Sequence, residues 1–137
     1  MTARGFLALP CTALLATGLA ACGTSVSTSA FKGEEQQVAH VVASLQSHAS
    51  ALEAKKICEE DLAAADVARL NAKGGCKKAL ETQLKQIDTF ETTVESVHIS
   101  DGKATAKVKS VYAGKQAIVT MTFVKEDGKW KASSAER

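Results

Sequence analysis

The chain has 137 residues, with 17 Lys and Arg against 15 Asp and Glu, a formal net charge of +2 and 4% aromatic residues. A balance so near neutral excludes the global attraction to phosphate that marks nucleic-acid binders. The length leaves room for one small domain with a single modest core. There is no internal repeat and no phosphate-binding glycine motif, so neither a nucleic-acid partner nor a cofactor is expected.

The first 21 residues, MTARGFLALPCTALLATGLAA, carry Arg4 as their only charge and are almost wholly apolar from Phe6 onward. A basic start, a short apolar stretch and small residues at the end form the layout of a secretory signal. Spanning a bilayer takes about 20 consecutive apolar residues. Pro10, Thr12, Thr17 and Gly18 interrupt a run already shorter than that. Residues Leu19, Ala20, Ala21 and Cys22 resemble the lipobox of bacterial lipoproteins. The resemblance implies cleavage before Cys22, acylation of its thiol, palmitate-type chains, and a mature protein held by lipid on the extracytoplasmic face of the cell membrane. Stable anchoring of this kind needs more than one acyl chain. The rival is an ordinary cleaved signal that leaves Cys22 as a free thiol. Cys11 falls inside the discarded segment.

Residues 22–33 form a Ser-, Thr- and Gly-rich tether with no apolar periodicity. Its 11 residues after the cysteine reach about 18 Å root-mean-square, which holds the domain close to the membrane. The domain itself is expected over residues 34–137.

From Glu34 to about Leu52, the residues Val38, Val41, Val42, Leu45, Ala49 and Leu52 recur at helical spacing and predict a long amphipathic helix. A second Ala-rich segment carrying Ile57, Leu62, Val67 and Leu70 predicts two short helical pieces, with Asp66 as a cap between them and Asn71–Gly75 as the stop. A last helix is predicted from Cys76 to Ile87, with Cys76, Ala79, Leu80, Leu84 and Ile87 inward.

Past Phe90 the period changes to two, and turns at Gly102, Gly114 and Gly128 predict a four-stranded antiparallel meander. Counting back from two-residue turns pairs Val97 with Ala106, Glu95 with Val108, Val108 with Val119, Ala106 with Met121, and Phe123 with Ala132. One face then holds Val97, Ile99, Ala104, Ala106, Val108, Ala117, Val119, Met121, Phe123, Trp130 and Ala132, with Glu95, Ser110 and Tyr112 as polar members. The other carries His98, Thr105, Lys107, Lys109, Thr120, Thr122 and Lys131, together with the apolar Ile118 and Val124. The helices are expected to cover the first face.

Helices followed by a curved meander ending in VKEDGKWKAS resemble the nuclear-transport-factor-2-like (NTF2-like) superfamily. The closer likeness is to its small actinobacterial lipoproteins, with a lipobox, two spaced cysteines in the helical half and a terminal hairpin at Lys125–Lys131. The resemblance implies an α+β cone with helices wrapped around a bent sheet. It also implies a site at the open end of the cone, where superfamily enzymes place a general acid or base, and here Glu95 and Tyr112 are the weak catalytic candidates. A carboxylate walled by apolar residues could carry a raised pKa. The competing reading leaves Glu95 at a solvated strand end.

Cys58 and Cys76 remain once Cys11 is removed and Cys22 is acylated. Export to an oxidising compartment predicts a disulfide between them, closing a loop of 17 intervening residues. His40, His48 and His98 lie at no finger-like spacing to these cysteines, so no metal is expected.

The leading functional expectation is a non-catalytic, membrane-tethered binding or accessory domain taking a small apolar ligand or an envelope protein. The alternatives are an isomerase- or dehydratase-type enzyme using Glu95 and Tyr112, and a structural envelope protein dimerising through its outer sheet face. A pocket with converging polar groups would favour the enzyme. A filled cone would favour the interaction module.

Overall fold

The computed structural model describes residues 27–87, 90–112 and 114–134; the leader, its lipobox and Cys22 lie outside the described residues. The element order is α1 (Gly33–Ser50), α2 (Ala54–Lys56) running directly into a single π turn (Ile57–Asp61), α3 (Ala64–Ala72), α4 (Cys76–Leu84), then β1 (Phe90–Ser100), β2 (Lys103–Tyr112), β3 (Lys115–Glu126) and β4 (Lys129–Ser133). Among the described residues no helix is long and apolar enough to cross a membrane.

The strands form one antiparallel sheet in the order β1-β2-β3-β4. Asp101 and Gly102 (φ 50° and 71°) and Asp127 and Gly128 (φ 48° and 77°) are the central residues of two tight turns. Positive φ at both positions is what a two-residue hairpin loop with the sheet's own twist demands, and Asp-Gly supplies it with little strain. The pairs Ser100 with Lys103 and Glu126 with Lys129 close these loops. Val108 therefore pairs with Val119, Ala106 with Met121, and Phe123 with Ala132, as the turn count predicts.

The register of β1 holds as far as Val97 with Ala106 and then slips. Between Val94 and Ser96 one extra residue, Glu95, is bulged out, so Val94 rather than Glu95 faces Val108. The apolar alternation of β1 is restored by the slip: Thr92 and Val94 are buried, while Glu95 is exposed.

α1 lies across the concave face. Its Val38, Ala39 and Val42 pack with Val94, Ala104, Ala106, Val108, Phe123, Trp130 and Ala132 to form the main core. Phe123, Val38, Val42 and Val108 are each less than 2% exposed, so the interior of the cone is occupied by side chains. A second, smaller cluster of Ala54, Ile57 and Leu84 joins α2, the π turn and α4. Cys58 and Cys76 are joined by a disulfide with Cα atoms 6.2 Å apart, which ties the π turn to the start of α4.

Helical cover stops short of the β2–β3 turn. Ala117 is exposed and Val119 is 42% exposed, although the alternation assigned both to the covered face. Ile118, on the opposite face, is 65% exposed. The helices end sooner than expected as well: α1 stops at Ser50 and α4 at Leu84.

Asp66 does not cap the break between helical pieces. Ala63 occupies that position, and the carboxylate of Glu126 reaches from β3 to accept the Ala64 amide at 3.1 Å through either oxygen. Asp66 sits in the first turn of α3, as its third residue, buried.

Candidate functional site

Of the two catalytic candidates, only Glu95 has its side-chain surroundings among the described residues. Glu95 stands on the lysine-bearing face, in a shallow open depression of about 340 Å³ that also involves Lys109, Gln116, Ala117 and Ile118. Glu95 is exposed there and shares the depression with the Lys109 side chain. The backbone of Tyr112 pairs with Phe90 and Lys115, and its side chain lies outside the described residues. The bulge separates Glu95 from the core face on which an acid–base pocket was expected.

The polar side chains that the fold does bring together lie elsewhere, between α1 and the π turn. Ser44 and His48 stand four residues apart on α1, one helical turn, so both project from the same flank. Asp61 closes the π turn and is 2% exposed. Its Oδ1 accepts the Ser44 hydroxyl at 2.6 Å, and its Oδ2 lies 2.7 Å from His48 Nδ1. Taking a carboxylate out of water is tolerable only when its oxygens are hydrogen-bonded, and here both are. The other ring nitrogen of His48, Nε2, stands 4.0 Å from Glu60 at the surface.

The chemistry of this cluster follows from which atoms meet. In a nucleophile–base pair the hydroxyl bonds the imidazole nitrogen that will take its proton, and the acid bonds the other nitrogen. Ser44 instead donates to the acid, and its 3.4 Å approach to His48 is to Nδ1, the nitrogen already engaged by Asp61. The arrangement fixes His48 and clamps the π turn to α1; it does not activate Ser44. Sequence reasoning weighed His48 only as a metal ligand and missed Asp61. The Ser44–His48 spacing was the available signal, but Asp61 is 13 residues from His48, and only packing brings them together.

A second buried carboxylate, Asp66, holds the end of β4. Its oxygens accept the Ser134 amide at 3.0 Å and the Ser134 hydroxyl, and Arg69 bonds both Asp66 and Ser134. Burial opposes the charge on Asp66, but the hydrogen bonds from Ser134 and Ser133 and the nearby Arg69 guanidinium outweigh it and hold the carboxyl below the usual range. Inside the core, Trp130 is 4% exposed, its indole N–H has no partner among the described residues, and Lys125 Nζ stands 5.6 Å over the ring. Among the described residues no group of three or more His, Cys, Asp or Glu is placed to hold a metal ion.

Comparison with curated proteins returns no match. Among solved structures, a chain designated Rd1NTF2_05 with five substitutions is 20% identical, with a TM-score of 0.49, over 73% of this chain and 95% of that one. A family model described as "Putative lumazine-binding" matches residues 38–135. That span covers α1 from Val38, both core clusters and the whole sheet. The chain belongs to this family, and its helices on an open four-stranded antiparallel meander make it an NTF2-like α+β domain.

Proposed function

We propose that the chain is a binding or accessory domain that performs no chemistry of its own and is tethered through a lipid on Cys22 to the extracytoplasmic face of a cell membrane. The observation that carries the non-catalytic part is the bulge at Glu95. The one carboxylate that the sequence offered to the cone is exposed on the opposite face, while Phe123, Val108, Val38 and Val42 fill the interior. Among the described residues an apolar strip around Ala117 and Val119 stays open beyond the helices. The family's description, "Putative lumazine-binding", is consistent with a binding role. The tether is supported by the lipobox-like Leu19–Cys22.

Two measurements test this reading. Cys22→Ser should move the protein from the membrane fraction to the soluble fraction, because the thioether to lipid needs sulfur; a serine variant that stays wholly membrane-bound refutes the anchor. Glu95→Gln should leave melting temperature and host phenotype unchanged. Loss of phenotype in a fully folded Glu95→Gln protein would transfer the assignment to an enzyme.

A further inference from the structure

The two outer edges of the sheet are treated differently along their length. On β1, the amide and hydroxyl of Thr92 both donate to Gln46 Oε1 of α1, at 2.7 and 2.5 Å. On β4, Leu62 forms a parallel bridge with Ala132, the Ala63 amide donates to the Ala132 carbonyl at 2.8 Å, and Lys131 Nζ bonds the Glu60 carbonyl. β4 itself covers β3 only from Thr122 to Glu126. At Ser134 the chain is drawn onto Asp66 of α3, away from β3. Residues 115–121 of β3 therefore pair with β2 on one side and, among the described residues, with nothing on the other.

Strand alternation identifies which backbone groups face outward. Glu126 closes a two-residue turn with Lys129, so its N–H and C=O bond β4, and every second residue does the same. Val124 and Thr122 follow in that series, and beyond the end of β4 it continues as Thr120, Ile118 and Gln116. Their amides and carbonyls form a ready template for a further strand. The segment Gln116–Met121, QAIVTM, contains no charge, proline or glycine. Exposed edges are normally blunted by such residues, and this one instead displays Ile118 and Val119, two of the most exposed large apolar side chains.

We propose that this edge is a docking site for an extended segment of a partner protein, which adds antiparallel to β3 with small apolar residues on the concave face and acidic residues on the other. Charge selects the occupant. Lys107 and Lys109 stand in β2 directly opposite Thr120 and Ile118, on the same face. A second copy of the chain would bring another set of these lysines, no carboxylate within its own Gln116–Met121 edge, and a Glu95 that already stands beside its own Lys109. An acidic strand would neutralise them. Backbone pairing supplies the affinity and the alternate side chains the selectivity, the general mode of β-strand addition. The inference deepens the reading of the domain as a binding module and rests on it, but it is independent of the lipid anchor.

The test uses the full chain carrying Cys22→Ser, titrated with a blocked peptide of four alternating Val-Glu pairs and with the corresponding Val-Lys peptide. The Val-Glu peptide should shift the amide resonances of Gln116, Ile118 and Thr120 and protect them from hydrogen exchange, and the Val-Lys peptide should bind at least tenfold more weakly. Thr120→Pro removes one outward N–H without touching the β2 ladder and should abolish binding in a folded protein. Should that variant fail to fold, Ile118→Glu, at a solvent-exposed side chain, should reverse the preference between the two peptides. Absence of binding at millimolar Val-Glu peptide, equal binding of both peptides, or binding unaffected by these substitutions overturns the inference. A dimer of the chain that Ile118→Glu dissociates would overturn it in favour of a second copy. None of these failures alters the Glu95→Gln or fractionation results, by which the broader reading is judged.

Discussion

Replacing Asp61 with Ala should be among the more damaging single changes outside the main core. The side chain is almost fully buried and satisfies two donors, Ser44 Oγ at 2.6 Å and His48 Nδ1 at 2.7 Å. Each net hydrogen bond to a charged group contributes about 1.5–3 kcal/mol, and a buried donor left unpaired costs about 1–3 kcal/mol. Ser44 is only partly buried and can recover a water, so the sum falls near about 3 kcal/mol rather than at the upper limit. For a domain of this size a loss of that magnitude lowers the melting temperature by roughly 12–20 °C. Thermal melts followed by circular dichroism on Asp61→Ala, His48→Ala and the double variant measure the effect. The two sites share one contact, so the double variant should fall short of the sum of the singles by at least about 1 kcal/mol. Additive losses, or an Asp61→Ala protein within about 0.5 kcal/mol of the parent, would refute the clamp between α1 and the π turn.

Removal of the Cys58–Cys76 disulfide by double serine substitution should cost about 3 kcal/mol, from closure of a loop of this length in the unfolded chain. Denatured, unreduced protein should show neither thiol to alkylating reagent. Val108→Asp should prevent folding or lower stability by several kcal/mol, because Val108 is fully buried beneath α1 and a carboxylate there has no partner; a normal melt would contradict the observed register. The depressed carboxyl of Asp66 contributes stability that is fully present above its unfolded value of 3.8 and is lost as pH falls through the lower folded value. Asp66→Asn should therefore flatten the acid limb of the stability profile, read from melts between pH 2 and 6.

The turn chemistry made most of the sheet legible. Two Asp-Gly pairs and one Ala-Gly fixed three loops, and from them the β2–β3 and β3–β4 ladders follow residue by residue. β1 was legible only as far as the bulge. Val94, Glu95 and Ser96 contain no glycine or proline to signal an extra residue, and the slip is decided by burial, since it returns Thr92 and Val94 to the core and sends a carboxylate to solvent. The exposure of Ala117 and Val119 was invisible for a related reason: alternation tells which residues share a face, and helix length tells how far that face is covered. The Ser44–His48–Asp61 cluster depends on contacts between α1 and a π turn, a winding that neither periodicity nor propensity encodes. The disulfide was accessible to counting because the expectation of export and acylation left two cysteines to pair, Cys58 and Cys76.

The π turn acts as a splitter of directions. Ile57 to Asp61 is wound so that the Leu62 amide reaches back five residues to the Ile57 carbonyl, at 3.0 Å. In an α-helix, residues three apart project about 60° from one another, whereas the wider π winding opens that angle beyond a right angle. Cys58 and Asp61 are three apart, and they serve opposite neighbours: the sulfur goes to α4, the carboxylate to α1. Deleting one residue here would relax the winding to an ordinary helix and leave one of the two attachments pointing the wrong way. Length in this short segment is therefore constrained even where side chains, as at Glu59 and Glu60, are exposed.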